Sequence, residues 1–92
     1  MEARRLIITG LVQGVGFRFH MVAAAKRFDA KGWVRNQRDG SVEAVIVGSA
    51  DTIAAIINWA RIGPSSAQVE QVVVEQIEDI PHLEDFVQRE TA

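Results

Sequence analysis

The hydrophobic positions of this chain come in short runs whose spacing switches between two residues and three to four. Over Arg5–Val12, Leu6, Ile8 and Val12 share one face, with Gly10 between the last two, and Ile7 and Leu11 lie on the other. A strand apolar on both faces is expected inside a sheet. A glycine-punctuated turn follows. From Phe19 to about Asp29 the period lengthens, with Met21, Val22, Ala25 and Phe28 at helical spacing and Lys26 and Arg27 outside them. Lys31–Arg38 reads as a second strand, Asp39-Gly40 as a hairpin signal and Ser41–Val47 as a third strand. In that third strand Val42, Ala44 and Ile46 alternate with Ser41 and Glu43, the pattern of a half-buried strand. Ser49 or Asp51 can cap a second helix, whose apolar stripe is Ile53, Ile56, Ile57 and Ala60 and which Gly63-Pro64 ends. Gln68–Ile77, centred on Val72-Val73-Val74, is a fourth strand. After Pro81, Phe86–Arg89 supplies a short fifth strand at an edge.

The order β-α-β-β-α-β plus a short C-terminal strand predicts an α+β fold. Two strand–helix–strand units joined by a hairpin make a ferredoxin-like α/β sandwich, with both helices packed on one face of a mixed, mainly antiparallel sheet. Its 92 residues are expected to form a single domain, 1–92, burying about 60–65% of its unfolded surface. The chain is 48% hydrophobic and 24% charged, with a net charge of −2. Its pI near 5.6 argues against a nucleic-acid partner. Without cysteine there is no disulfide framework, thiol nucleophile or cysteine metal site. No apolar run spans a bilayer and no signal-peptide core follows Met1, so a cytoplasmic location without a membrane partner is expected. A monomer is the default oligomeric state.

The candidate chemistry lies in Gly10-Leu11-Val12-Gln13-Gly14-Val15-Gly16-Phe17-Arg18. Successive backbone N–H groups in such a turn can form an anion-binding concavity, and the start of a helix adds partial positive charge. Arg18 brings a planar fork of donors suited to phosphate. The same glycines would also serve a purely structural strand–turn–helix junction.

Two segments together resemble a known family. Ile8 to Arg18 resembles the first signature of the acylphosphatases, the G-x-V-Q-G-V-x-F-R loop. Gly32-Trp33-Val34-Arg35-Asn36-Gln37-Arg38-Asp39-Gly40-Ser41-Val42, followed by Gly48, resembles their second. Gly63-Pro64, Ala67 and Val69 look like a third landmark, so the resemblance covers nearly the whole chain. It implies hydrolysis of the carboxyl–phosphate bond of small acyl phosphates, with no metal and no cofactor. It implies catalytic roles for Arg18, which binds phosphate, and Asn36, which positions the attacking water. The phosphate-binding loop is then Gln13, Gly14, Val15, Gly16, Phe17 and Arg18, which phosphate or another small oxyanion can occupy.

Other residues read more plainly. Gln13 is expected to brace the loop rather than touch substrate. His20 reads as a partly buried structural histidine, His82 as an exposed loop residue, and the two are not at metal-ligand spacing. Trp33 and Trp59 read as packing residues, and Arg35 and Arg38 as solvated. Ser49, Ser65 and Ser66 have no base at motif spacing. Asp29-Ala30 departs from the glycine and aliphatic residue that relatives commonly carry where the first helix ends; an aspartate can adopt the left-handed cap conformation there, at more cost than glycine. The alternative function is a non-catalytic phosphate- or carbamoyl-phosphate-binding domain of the same fold, of the kind found inside larger carbamoyl-transferring maturation proteins. A chain that begins and ends with the domain and carries both key residues is the expectation for the enzyme. An RNA-binding module of this fold would want aromatic residues on the sheet and a basic surface.

Overall fold

The period-two runs form strands and the helical-period runs form helices. The computed structural model describes residues 1–92. Its strands are β1 (Glu2–Leu11), β2 (Lys31–Asn36), β3 (Val42–Gly48), β4 (Gln68–Ile77) and β5 (Phe86–Gln88), and its helices α1 (Phe17–Arg27) and α2 (Ala50–Ile62). One sheet takes the order β4-β1-β3-β2-β5, antiparallel except where β5 runs parallel to β2. Leu6 and Ile8 of β1, Val42, Ala44 and Ile46 of β3 and Val34 of β2 face the helices. Met21, Ala24 and Ala25 of α1 and Ile53, Ile56 and Ala60 of α2 close over them in one core. Both helices therefore pack on one face, the ferredoxin-like sandwich expected from the element order.

Several boundaries move for physical reasons. β1 starts at Glu2 rather than Arg5, because Glu2 to Arg4 pair with the far end of β3, Gly48 to Ile46. α1 starts at Phe17 rather than Phe19, with Phe17 buried in the core and its ring edge-on to Trp59 at 5.3 Å. The helix ends at Arg27 rather than Asp29. Ser49 provides the α2 cap, its Oγ accepting from the Thr52 N–H at 3.2 Å.

β3 is not half-buried: every residue from Val42 to Gly48 is buried. As the middle strand it is flanked on both sides, and its helix-free face is covered as well. Val45 and Val47 pack there with Ala3, Trp33 and Leu83, the last carried across by the segment joining β4 to β5. Glu43 shares this face, with its side chain only 6% exposed. Arg5 Nε donates to Glu43 Oε2 at 2.6 Å and Arg35 Nε to Oε1 at 2.7 Å. Burial pushes the Glu43 carboxyl up, but these two charged hydrogen bonds outweigh it and hold the group below the ordinary glutamate range. Arg35 is thus only partly solvated: it pairs with Glu43 and its guanidinium lies 4.8 Å over the Trp33 ring. Arg38 is exposed, as expected.

The end of α1 shows how Asp29 is accommodated. The Ala30 N–H donates to Ala25 O at 2.8 Å and the Asp29 N–H to Lys26 O at 3.2 Å, the paired bonds of a Schellman motif. Asp29 takes φ 61°, the only non-glycine residue with positive φ. Ala25 and Ala30, both buried, supply the apolar contact that closes the motif.

Two stability predictions follow from these contacts. Asp29→Gly relieves the left-handed conformation and is expected to raise unfolding free energy by about 0.5–1 kcal/mol, read as a higher urea midpoint. A lower midpoint would contradict that account. Because the folded-state value of Glu43 is lowered, its contribution is present above the ordinary glutamate value and lost as pH falls through the folded-state value. Glu43→Gln is expected to cost roughly 1–3 kcal/mol at neutral pH and to flatten the loss of stability below about pH 4.5. A parallel acid profile in wild type and variant would assign the acid sensitivity to other groups.

Candidate active site

The chain passes from β1 into α1 through Val12 to Gly16. Gly14 and Gly16 carry it round with φ of 72° and 78°. A Cβ at Gly14 would meet nothing within 4 Å, so the constraint there is the sign of φ rather than space. Gly16 occupies the cap position of α1, which has neither a side-chain cap nor an acidic residue in its first turn. From Gly14 to Phe19 no backbone N–H reaches an acceptor within the protein. These unpaired donors sit at the positive end of the α1 dipole, the arrangement that favours an oxyanion.

Two side chains brace this turn. Gln13 Nε2 donates to Gln37 O at 2.7 Å and Ser41 O at 2.8 Å, tying the turn to the β2–β3 hairpin. This agrees with the bracing role expected of it. Ser66, just beyond α2, donates from Oγ to Val15 O at 2.9 Å. The sequence carries no signal for that second brace, because the contact spans 51 residues, from the β1–α1 turn to the connection between α2 and β4. The hairpin itself is ordered by Asp39, whose Oδ1 accepts from Ser41 Oγ at 2.6 Å and the Ser41 N–H at 2.9 Å. The Ser41 hydroxyl first, and then its N–H, hold the Asp39 carboxyl below the usual aspartate range.

Asn36 ends β2 on the helix-facing side, in line with Val34. It reaches the turn across β3, which lies between β1 and β2. Its Oδ1 is buried and has no hydrogen-bond partner. A cavity of about 120 Å³ is lined by Val12, Gly14, Gly16, Phe17, Arg18 and Asn36, with Phe19 and Gln88 also on its wall. The Arg18 guanidinium enters no ion pair within the protein. The fold thus brings Gly14, Gly16, Phe17, Arg18 and Asn36 to one cavity and places Gln13 behind it as a brace. Val15 packs partly buried against the core, with its carbonyl held by Ser66.

His20 differs from expectation. It is exposed rather than partly buried, and its ring stands edge-on to Phe19 at 5.4 Å. It lies on the solvent side of α1 because Met21, Ala24 and Ala25 take the core side. Trp59 packs on Phe17 and Trp33 under two guanidinium groups, Arg35 and Arg89, so neither lines the cavity. No group of three or more His, Cys, Asp or Glu side chains is placed to hold a metal ion.

A ferredoxin-like sandwich with an unpaired oxyanion cradle, a free guanidinium and an unpartnered amide in one cavity is equipped to hold a phosphoryl group. The family model for acylphosphatases matches residues 4–88. An acylphosphatase of Acidovorax sp. (strain JS42) is 48% identical over 88 residues, covering 96% of this chain and 90% of the relative. That of Pasteurella multocida (strain Pm70) is 44% identical over 86 residues, covering 94% and 96%. The crystal structure of acylphosphatase from Bacillus subtilis superposes with a TM-score of 0.94 at 28% identity, covering 97% of this chain and 99% of that one. Full-length HypF, in its phosphate- and nucleotide-bound form, contains a region that superposes with a TM-score of 0.89 at 28% identity. That match covers 98% of this chain but 12% of HypF. The chain belongs to the acylphosphatase family. Its activity is that of an acylphosphatase, the hydrolysis of small-molecule acyl phosphates to a carboxylate and inorganic phosphate.

Proposed function

We propose that the hydrolysis takes place in the cavity between the Gly14–Phe19 turn and Asn36, with Arg18 as phosphate clamp and Asn36 as water-positioning residue. The buried, unpartnered Oδ1 of Asn36 carries this reading. A polar atom left without a partner costs about 1–3 kcal/mol, and such an atom in a cavity wall marks a group held for chemistry rather than packing.

The small number of groups suits the reaction. An acyl phosphate expels a carboxylate whose conjugate acid has a pKa of about 4, so the departing oxygen needs no general acid. What remains is to hold the phosphoryl group, stabilise its charge in the transition state and aim a water in line. The unpaired N–H groups and Arg18 perform the first two tasks, with donors already oriented before substrate arrives. The Asn36 amide carries a donor edge and an acceptor edge, either able to hold a water, and neither able to take a proton. The proton of the attacking water therefore passes to a phosphoryl oxygen of the substrate, and the P–O bond to the carboxylate breaks as the new P–O bond forms. No step calls for a metal or cofactor, and metal independence is part of the proposal. So are a single domain over residues 1–92, a monomeric state and a cytoplasmic location.

The test is steady-state hydrolysis of acetyl phosphate in EDTA, with inorganic phosphate as competitive inhibitor. Wild type is expected to turn over unimpaired by the chelator. Asn36→Ala is expected to lower kcat by roughly two to three orders of magnitude while phosphate inhibits as before. Arg18→Gln is expected to lose phosphate inhibition as well as turnover. Unchanged kcat in the first variant or retained tight inhibition in the second would remove the assigned role.

A further inference from the structure

The cradle cavity does not end at its own wall. Phe19 and Gln88 line it and also line a second, larger cavity of about 430 Å³, whose other walls are Val22, Ala23, Lys26 and Val87. Phe19, Val22, Ala23 and Lys26 stand at helical spacings of three, four and seven, so they form one continuous face of α1. β5 supplies Val87 and Gln88 opposite them. Phe19 is 71% exposed and Val87 44% exposed, an apolar surface directly beside the residue that clamps phosphate. A single exposed apolar residue is ordinary, but a phenylalanine and a valine facing across a groove that opens from a polar reaction site are placed to cover something.

We propose that this groove is the acyl subsite, and that it selects acyl phosphates with an aromatic or extended apolar acyl group over acetyl phosphate. The inference rests on the assignment of the cradle as the phosphoryl site. In an acyl phosphate the carbonyl carbon is one oxygen away from phosphorus, so the acyl group must leave the small cradle cavity at once through its rim. Two grooves meet that rim. One is the groove walled by Phe19, Val22, Ala23 and Val87. The other, of about 410 Å³, is lined by Arg18, Gln88, Arg89, Glu90 and Thr91 and has no apolar side chain. An apolar acyl group gains by leaving water only in the first. An aromatic acyl group can also meet the Phe19 ring edge-on or offset, a ring that already makes one edge-on contact with His20. Lys26 bounds the groove about two helical turns from Phe19, beyond the reach of a benzoyl group but not of a longer chain.

The experiment compares kcat/KM for benzoyl phosphate and acetyl phosphate in wild type, Phe19→Ala and Val87→Ser. Reading the ratio across variants cancels the intrinsic reactivity of the two anhydrides. Phe19→Ala is expected to lower the benzoyl-to-acetyl ratio about three- to tenfold, mainly through KM. Val87→Ser, on a short edge strand outside the cradle, is expected to lower the ratio by a smaller factor with acetyl phosphate turnover within twofold of wild type. A proportional loss on both substrates, or an unchanged ratio in both variants, overturns the subsite. Failure of the cradle assignment reads differently: Asn36→Ala would then keep its acetyl phosphate turnover whatever the ratio does.

Discussion

β1 and β2 do not pair; β3 lies between them, and the row Ile8–Val42–Asn36 crosses all three strands. The turn that follows β1 and the amide at the end of β2 can share a cavity only while β3 keeps its register against both neighbours. A slip of one residue at the β2–β3 pairing would turn Asn36 to the helix-free face and bring Arg35 into its place. The adjacent row, Ile7–Glu43–Arg35, holds the lock. Glu43 accepts from Arg5 of β1 on one carboxylate oxygen and from Arg35 of β2 on the other, so one buried group pins both pairings. Buried ion pairs are poor guides to net stability, but register is the role in which they are best attested. Arg5 also donates to Glu75 Oε1 at 2.8 Å, which extends the same lock to β4.

The site itself is built by leaving groups unpaired. The N–H groups of the turn, the guanidinium of Arg18 and the Oδ1 of Asn36 each lack a partner, the last in a fold whose other buried side-chain polar atoms all have one. Such groups cost folding free energy, and the core beneath supplies it: Phe17, Val12, Ile8 and Met21 are all essentially inaccessible. Phe17 and Arg18 are consecutive, so the residue that anchors α1 in the core also fixes where the guanidinium starts. The division suits the proposed mechanism, in which a good leaving group removes the need for acid catalysis and positioning is what the protein contributes.

Much of this was legible in the chain. Gly14, Gly16 and Arg18 fit either a cradle or a plain strand–turn–helix junction by themselves, and it is their resemblance, together with Gly32 to Val42, to the two acylphosphatase signatures that favours the cradle. Asp39-Gly40 and Gly63-Pro64 mark turns through backbone chemistry that is local, and local chemistry can be read locally. Glu43 was misread for the opposite reason. Its alternation with Val42 and Ala44 says only that it faces away from the helices, and that face becomes dry only when Trp33, Leu83 and two arginines from other strands assemble over it. The Ser66 brace is likewise a property of the assembled fold, with no trace in the spacing of neighbours along the chain.

The geometry of the strand ends explains why Gln13 braces the cradle. β3 begins at Val42, opposite Ile8, so beyond Ile8 the first strand continues with β4 alone on its other side, through Gly10–Val69 and Leu11–Gln68. A notch is left where a longer β3 would have run, bounded by the end of β1 and by the hairpin from Gln37 to Ser41. Within the hairpin, the Gln37 N–H donates to Ser41 O at 2.8 Å and the Gly40 N–H to Gln37 O at 3.1 Å. The same two carbonyls accept from Gln13 Nε2. One side-chain amide thus does across the notch what a further pair of backbone ladder bonds would have done in a longer sheet, while leaving the backbone donors of the turn itself uncommitted. The irregular end of the sheet, spanned by Gln13, thus stands behind the cavity that Gly14, Gly16, Arg18 and Asn36 line and ties its turn to the hairpin.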